Sequence, residues 1–179
     1  MRIVAGARRG ARIAAPPGDD TRPTADRVRE AAFNLLGPLD GAIVLDLFAG
    51  SGAMGLEALS RGAAEAALVE RDERALAVIR RNVAKLGLPG ARVERADALR
   101  FLAVEAERGR RYDLVVIDPP YRMLPDLLPS LSRLLPPILG RDALVLVESD
   151  ARLEPELPLA RRTTRRYGAA RLSLFEAGA

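Results

Sequence analysis

Apolar residues along this 179-residue chain fall into short blocks that alternate between two periods. Runs at 43–48, 66–70, 112–118 and 142–148 are rich in Val, Ile, Leu and Ala and are of strand length; 91–95 is more polar. Between them, 53–61, 72–87, 98–107 and 124–135 carry helical spacing. The clearest is 72–87, where Leu76, Ile79, Val83 and Leu86 share one face ahead of a terminating Gly87. Strict alternation of this kind predicts a mainly parallel sheet with right-handed crossovers. The two ends differ. Arms at 2–14 flank Gly6 to Gly10 and read as a β-hairpin, 16–23 as a loop, and 24–36 as a helix. That helix puts Val28, Ala31, Ala32 and Leu35 on one side and stops at Gly37-Pro38. Near the other end, 161–167 and 171–176 read as two strands joined through Gly168, a closing antiparallel pair. The expectation is one α/β domain over 1–179, with 1–40 as an N-terminal extension and 41–179 as the core.

Composition narrows the chemistry. At 49% hydrophobic residues the chain can bury a substantial core. No apolar run is long enough to span a bilayer, and no signal-peptide pattern follows Met1. The sequence has no cysteine and no histidine, which removes disulfides, thiolate nucleophiles, a histidine general base and the usual zinc and haem sites. A cytoplasmic, metal-free monomer is the expectation. Net charge is only +4, yet all but Lys85 of the 28 basic residues are arginine. Arg2, Arg8, Arg9 and Arg12 crowd the first twelve residues with no acid among them. Arg161, Arg162, Arg165, Arg166 and Arg171 form a second acid-free cluster. Guanidinium forks suit phosphate oxygens and stack on bases, so the first cluster reads as a nucleic-acid contact; the second is open between that role and a solvated face.

The most specific local signals follow predicted strands. Gly50, Ser51 and Gly52 make a tight turn between 43–48 and a helix, where backbone can approach a ligand and helix N–H groups stand unpaired. With Gly55 they satisfy the G-x-G-x-x-G spacing of dinucleotide folds, a weak signal alone. Glu70 ends the next strand, about where such folds grip a ribose hydroxyl; otherwise it is a strand-end charge. Asp46, just before the glycines, suits a phosphate ligand poorly and a cationic one well. S-adenosylmethionine has a sulfonium centre, an ammonium group and a ribose. Asp97 precedes Ala98 at a helix start, so it is either an N-cap or an acceptor for an adenine amino group.

Asp118-Pro119-Pro120-Tyr121 ends the apolar run at 112–118. The prolines stop the strand and stiffen the backbone. The Asp118 carboxylate and the Pro119 carbonyl then stand as two acceptors beside a flat ring, a receptor for a planar group bearing NH2. A plain strand-terminating turn is the competing account.

Taken in order, Asp46-Leu47-Phe48-Ala49-Gly50-Ser51-Gly52, Glu70, Ala96-Asp97-Ala98 and Asp118-Pro119-Pro120-Tyr121 resemble the class I S-adenosylmethionine-dependent amino methyltransferases. The run from Arg22 to Glu30 followed by Phe33-Asn34, the stretch 55–62, and Val147-Glu148-Ser149 resemble one family in that class, the bacterial 16S ribosomal RNA guanine-N2 methyltransferases of the guanine-966 type. Ala7 and Ala25 depart from that pattern, standing where a glycine and a threonine are expected. The resemblance implies a Rossmann-like class I methyltransferase fold: a seven-stranded, mainly parallel sheet with helices on both faces and an antiparallel C-terminal strand. It also implies methyl transfer from S-adenosylmethionine to a guanine N2 amino group in 16S rRNA, within the assembled or assembling small subunit. Asp118, Pro119, Pro120 and Tyr121 would be catalytic. Asp46, Phe48, Gly50, Ser51, Gly52, Glu70, Asp97 and Ala98 would bind the donor, and Arg8, Arg9, Arg12, Arg22 and Arg27 the RNA. Alternatives are an amino methyltransferase acting on DNA adenine or cytosine, for whose recognition region there is no spare length, and a non-catalytic RNA-binding module, which has no need of residues 118–121. A nicotinamide dehydrogenase fits worst, because of Asp46.

Overall fold

The computed structural model describes residues 1–16 and 23–178. Arg22 of the expected RNA contacts, and most of the loop expected at 16–23, lie outside them. The chain runs α1 (Pro23–Leu36), β1 (Ile43–Leu47), α2 (Ala53–Ser60), β2 (Glu65–Glu70), α3 (Glu73–Leu86), β3 (Ala91–Arg95), α4 (Ala98–Glu107), β4 (Tyr112–Ile117), α5 (Leu124–Leu134), β5 (Leu139–Asp150), β6 (Ala160–Tyr167) and β7 (Ala170–Glu176). The seven strands form one sheet in the order β3-β2-β1-β4-β5-β7-β6. Only β7 is antiparallel to its neighbours, slotting between β5 and β6.

Both faces of the sheet are covered, which is why its central strands are apolar on both sides. Val44, Leu114 and Leu146 point to one layer, where they meet Phe33 of α1, Leu56 of α2, Ile79 of α3 and Ile3. Leu45, Val115 and Val145 point to the other, against Phe101 and Leu102 of α4 and Leu124 and Leu131 of α5. In α1, Val28, Ala32, Phe33 and Leu36 form the buried stripe; the Arg61 guanidinium lies 4.6 Å from the Phe33 ring centroid and ties the end of α2 to it. In α3 the expected Leu76, Ile79 and Leu86 are buried, but Asn82 goes deeper than Val83. Its amide donates to the carbonyls of Ser51 and Ala14 and accepts from the Ala14 N–H. A polar group at that depth is tolerable only because each end is bonded.

Two elements differ from expectation. β5 begins three residues before the predicted 142–148, because its pairing with β4 slips between Tyr112 and Leu114 and Asp142 adopts φ +60° to absorb the irregularity. The N-terminal arms run antiparallel but pair through a single bridge, Arg2 with Arg12, around one turn of 3-10 helix at Gly6–Arg8. The reason is the fully buried Glu57 of α2. Its carboxylate accepts from the Val4 N–H at 2.7 Å and the Ala5 N–H at 3.0 Å, taking from Ala5 an amide that a longer ladder would use. The Arg61 Nε at 2.8 Å balances its charge, and the nearly buried Arg29 approaches from the other side. Among the described residues no helix is long and apolar enough to cross a membrane.

Candidate active site

Strand order reverses at β1, which has β2 on one side and β4 on the other. Ligands of open α/β sheets lie beyond the carboxyl ends of the strands at such a point. Here the tips of β1, β2, β4 and β5, with the loop after β3, line one cavity of about 1230 Å³. That exceeds the roughly 300–1,000 Å³ of a site for one small ligand, leaving room for a donor and an acceptor together.

On the β1 side, Phe48 leaves the strand with φ +66°, an uncommon conformation for a side chain other than glycine, and lines the cavity. Gly50 and Ser51 line it too. Gly52, in the left-handed region at φ +79°, sits behind them as the residue that opens α2; it is the one expected donor contact that does not face the cavity. Asp46 is 2% exposed and accepts from the Gly55 N–H at 2.9 Å. Burial pushes its carboxyl up to about 7, against the pull of that hydrogen bond and with a further push from the Glu70 charge. A buried carboxyl held short of full ionisation gains most from a cationic ligand.

Glu70 stands across from the glycine loop and grips it. One oxygen accepts from the Gly50 N–H at 3.0 Å, the other from the Arg71 and Asp72 N–H groups at 2.7 and 2.9 Å. At the mouth, Asp97 caps α4, accepting from Leu99 and Arg100 N–H through the same oxygen. It also lines the cavity beside Ala98, so the capping role and the ligand role need not compete.

Asp118, Pro119, Pro120 and Tyr121 line the opposite wall. The Pro120 carbonyl accepts from the Met123 N–H at 2.8 Å. The Tyr121 hydroxyl donates to Glu148 Oε1 at 2.9 Å. Burial raises the Tyr121 hydroxyl, with Glu148 and then Asp118 adding to the effect, so it remains a neutral phenol. Glu148, two residues before the end of β5, was noted in the sequence only within a resemblance. Met1 and the Gly168–Ala169 turn between β6 and β7 also line the cavity, as does Arg29, which the sequence offers only within the run from Arg22 to Glu30.

The expected RNA contacts divide. Both ends of the N-terminal arm, Met1 and Pro16, reach the cavity. Its tip lies at the far end of α2, where Arg8 N–H donates to Ser60 Oγ at 3.0 Å, about 10 Å along the helix from Ala53. The Arg8 Nε donates to the Leu86 carbonyl at 2.6 Å and so closes the end of α3. Arg9 and Arg12 are exposed, as is Arg27 on α1, two residues before the cavity-lining Arg29.

A family model described as Conserved hypothetical protein 95 matches residues 1–176. YlbH of Bacillus subtilis (strain 168), provisionally named an rRNA methyltransferase, is 37% identical over 185 residues, 98% of each chain. Ribosomal RNA small subunit methyltransferase D of Escherichia coli (strain K12) is 46% identical over 123 residues, 68% of this chain and 61% of that protein. The solved structure of yhhF from Escherichia coli superposes with a TM-score of 0.84 at 37% identity, covering 100% of this chain and 98% of that one. With a model match from end to end and a relative of this similarity along its whole length, the chain belongs to the Conserved hypothetical protein 95 family, alongside these rRNA methyltransferases.

Proposed function

We propose that the protein methylates the exocyclic N2 amino group of a guanine in 16S rRNA, in the cytoplasm, on the small ribosomal subunit or its precursor. The observation that carries this is the meeting, in one cavity, of the glycine loop with Glu70 and Asp97 on one wall and Asp118 to Tyr121 on the other. S-adenosylmethionine supplies an activated methyl group when bound. Asp46 offers charge to its ammonium end, Glu70 an acceptor to its ribose, and Asp97 with the Ala98 N–H a pair of contacts to its adenine.

Asp118 and the Pro119 carbonyl accept the two hydrogens of the target amino group. This draws the nitrogen lone pair out of conjugation with the ring and leaves it to attack in line. Tyr121 stacks on the base, which must be unpaired or turned out of its helix. Holding two reactants in this way contributes on the order of 7–11 kcal/mol to lowering the barrier. No strong base is required, since the amino group becomes acidic as it gains the methyl. Residues 1–40, with Arg9, Arg12 and Arg27, supply positive charge along the RNA path.

The test is radiolabelled methyl transfer to small subunits lacking their modifications, to free 16S RNA and to duplex DNA, followed by nucleoside analysis. N2-methylguanosine from either RNA substrate supports the proposal. Label found only in DNA adenine or cytosine overturns it.

A further inference from the structure

Glu148 has no role in the donor site or in pinning the amino group, yet its position is constrained. Ile117, the last residue of β4, pairs with Val147 of β5, so Asp118 follows the end of one strand while Glu148, the next residue along the neighbouring parallel strand, is still held in the sheet by its pairing with Leu172 of β7. Both face the cavity. Glu148 is half-buried, and among the described residues the only hydrogen bond to its carboxylate comes from Tyr121, to Oε1. No arginine pairs with it among the described residues. Burial therefore raises its carboxyl, with only the tyrosine hydroxyl to oppose the effect. With Oε1 taken by Tyr121, Oε2 is the oxygen left to accept from a ligand in the cavity.

The bases differ in what they offer beside the amino group. Guanine presents N2–H and then N1–H, two donors side by side. Adenine presents N6–H beside the N1 lone pair, and cytosine N4–H beside the N3 lone pair. With the amino group held at Asp118 and Pro119 and the N1 side of the ring turned toward β5, the neighbouring ring nitrogen would meet Glu148. We infer that Glu148 is the residue that selects guanine, accepting the N1–H at Oε2 while Tyr121 holds Oε1. Adenine and cytosine would set a lone pair against the carboxylate, and sites that leave a buried polar group unmatched discriminate strongly. This rests on the guanine-N2 reading above.

The experiment uses the full chain and small subunits assembled from 16S RNA in which the guanine methylated by the wild type is replaced, by ligation, with 2-aminopurine. That base keeps the C2 amino group and carries a lone pair at N1. Glu148→Gln keeps an acceptor for Tyr121 and adds an NH2 that can face a lone pair. The kcat/KM ratio of guanine over 2-aminopurine should fall about 10–100-fold in Glu148→Gln, with S-adenosylhomocysteine binding unchanged as the check on folding. Tyr121→Phe should slow both substrates and leave the ratio as in the wild type. An unchanged ratio in Glu148→Gln overturns the inference. So does a collapsed ratio in Tyr121→Phe, which would make Glu148 a positioning residue for the ring. If the wild type forms no N2-methylguanosine on the unsubstituted subunits, the parent reading fails and takes this one with it.

Discussion

The Asp46 carboxylate accepts a hydrogen bond from the Gly55 N–H at 2.9 Å, and a Cβ on that glycine would lie 2.1 Å from Leu68 Cδ2. An approach this close lets α2 press onto β2 and seals Asp46 away from water. Its carboxyl sits at about 7 in the fold against 3.8 without it. The unfolded chain therefore gives up this proton first as pH rises, and folding is penalised progressively between about pH 4 and pH 7. The unliganded protein should lose stability across that window, and Asp46→Asn should flatten the loss. Urea unfolding midpoints at pH 4.5 and 7.5 measure both.

The same carboxyl links pH to donor binding. A cationic ligand favours the anion, so binding near pH 6 should release part of a proton. Calorimetry in two buffers of different ionisation enthalpy reads this directly. Equal heats in the two would detach Asp46 from the donor.

Asp118→Ala removes one of the two proposed acceptors for the amino group and leaves in place every residue proposed to hold the donor. Transfer should fall at least about 100-fold, while the dissociation constant for S-adenosylhomocysteine stays within about twofold. Parallel loss of both would return residues 118–121 to a simple turn.

Glu70→Ala should act in the opposite sense. It removes the proposed ribose acceptor and frees the Gly50 N–H that Glu70 holds at 3.0 Å. Donor affinity should drop by about 1.5–3 kcal/mol, with RNA affinity unchanged in a filter-binding assay. Weakened RNA binding with intact donor binding would contradict the assignment.

For RNA, the structure separates arginines that the sequence groups together. Replacing Arg9, Arg12 and Arg27 by Gln should reduce the slope of log affinity against log salt by about 0.7–0.9 for each phosphate no longer neutralised. Arg8→Gln should chiefly lower the melting temperature, because its guanidinium closes the end of α3. An unchanged slope in the triple variant would make those side chains ordinary solvated surface.

The β/α alternation was legible because each central strand is apolar on both faces and each helix carries its stripe; β3 and α4 begin and end at the expected residues. The glycine loop, Glu70, Asp97 and Asp118 were legible because each follows a strand, and strand ends of a parallel sheet converge. Links made by single polar residues far apart in sequence were not. Glu57 looks like a helix surface charge, yet it holds Val4 and Ala5 from 53 and 52 residues away. Asn82 looks like a break in an apolar stripe, yet it joins α3 to the glycine loop. Glu148 reads as a polar end to an apolar run, and only pairing with β4 sets it beside Asp118.

Because β7 fills the gap between β5 and β6, the strand made after all the others is an interior one. During synthesis β6 has no partner until residues 170–176 emerge, and the central layer stays in two pieces until then. A nonsense codon shortly before Ala170 would not trim a fringe. It would leave β5 as a bare edge of a five-stranded sheet, with the arginine-rich β6 cut off from its one partner.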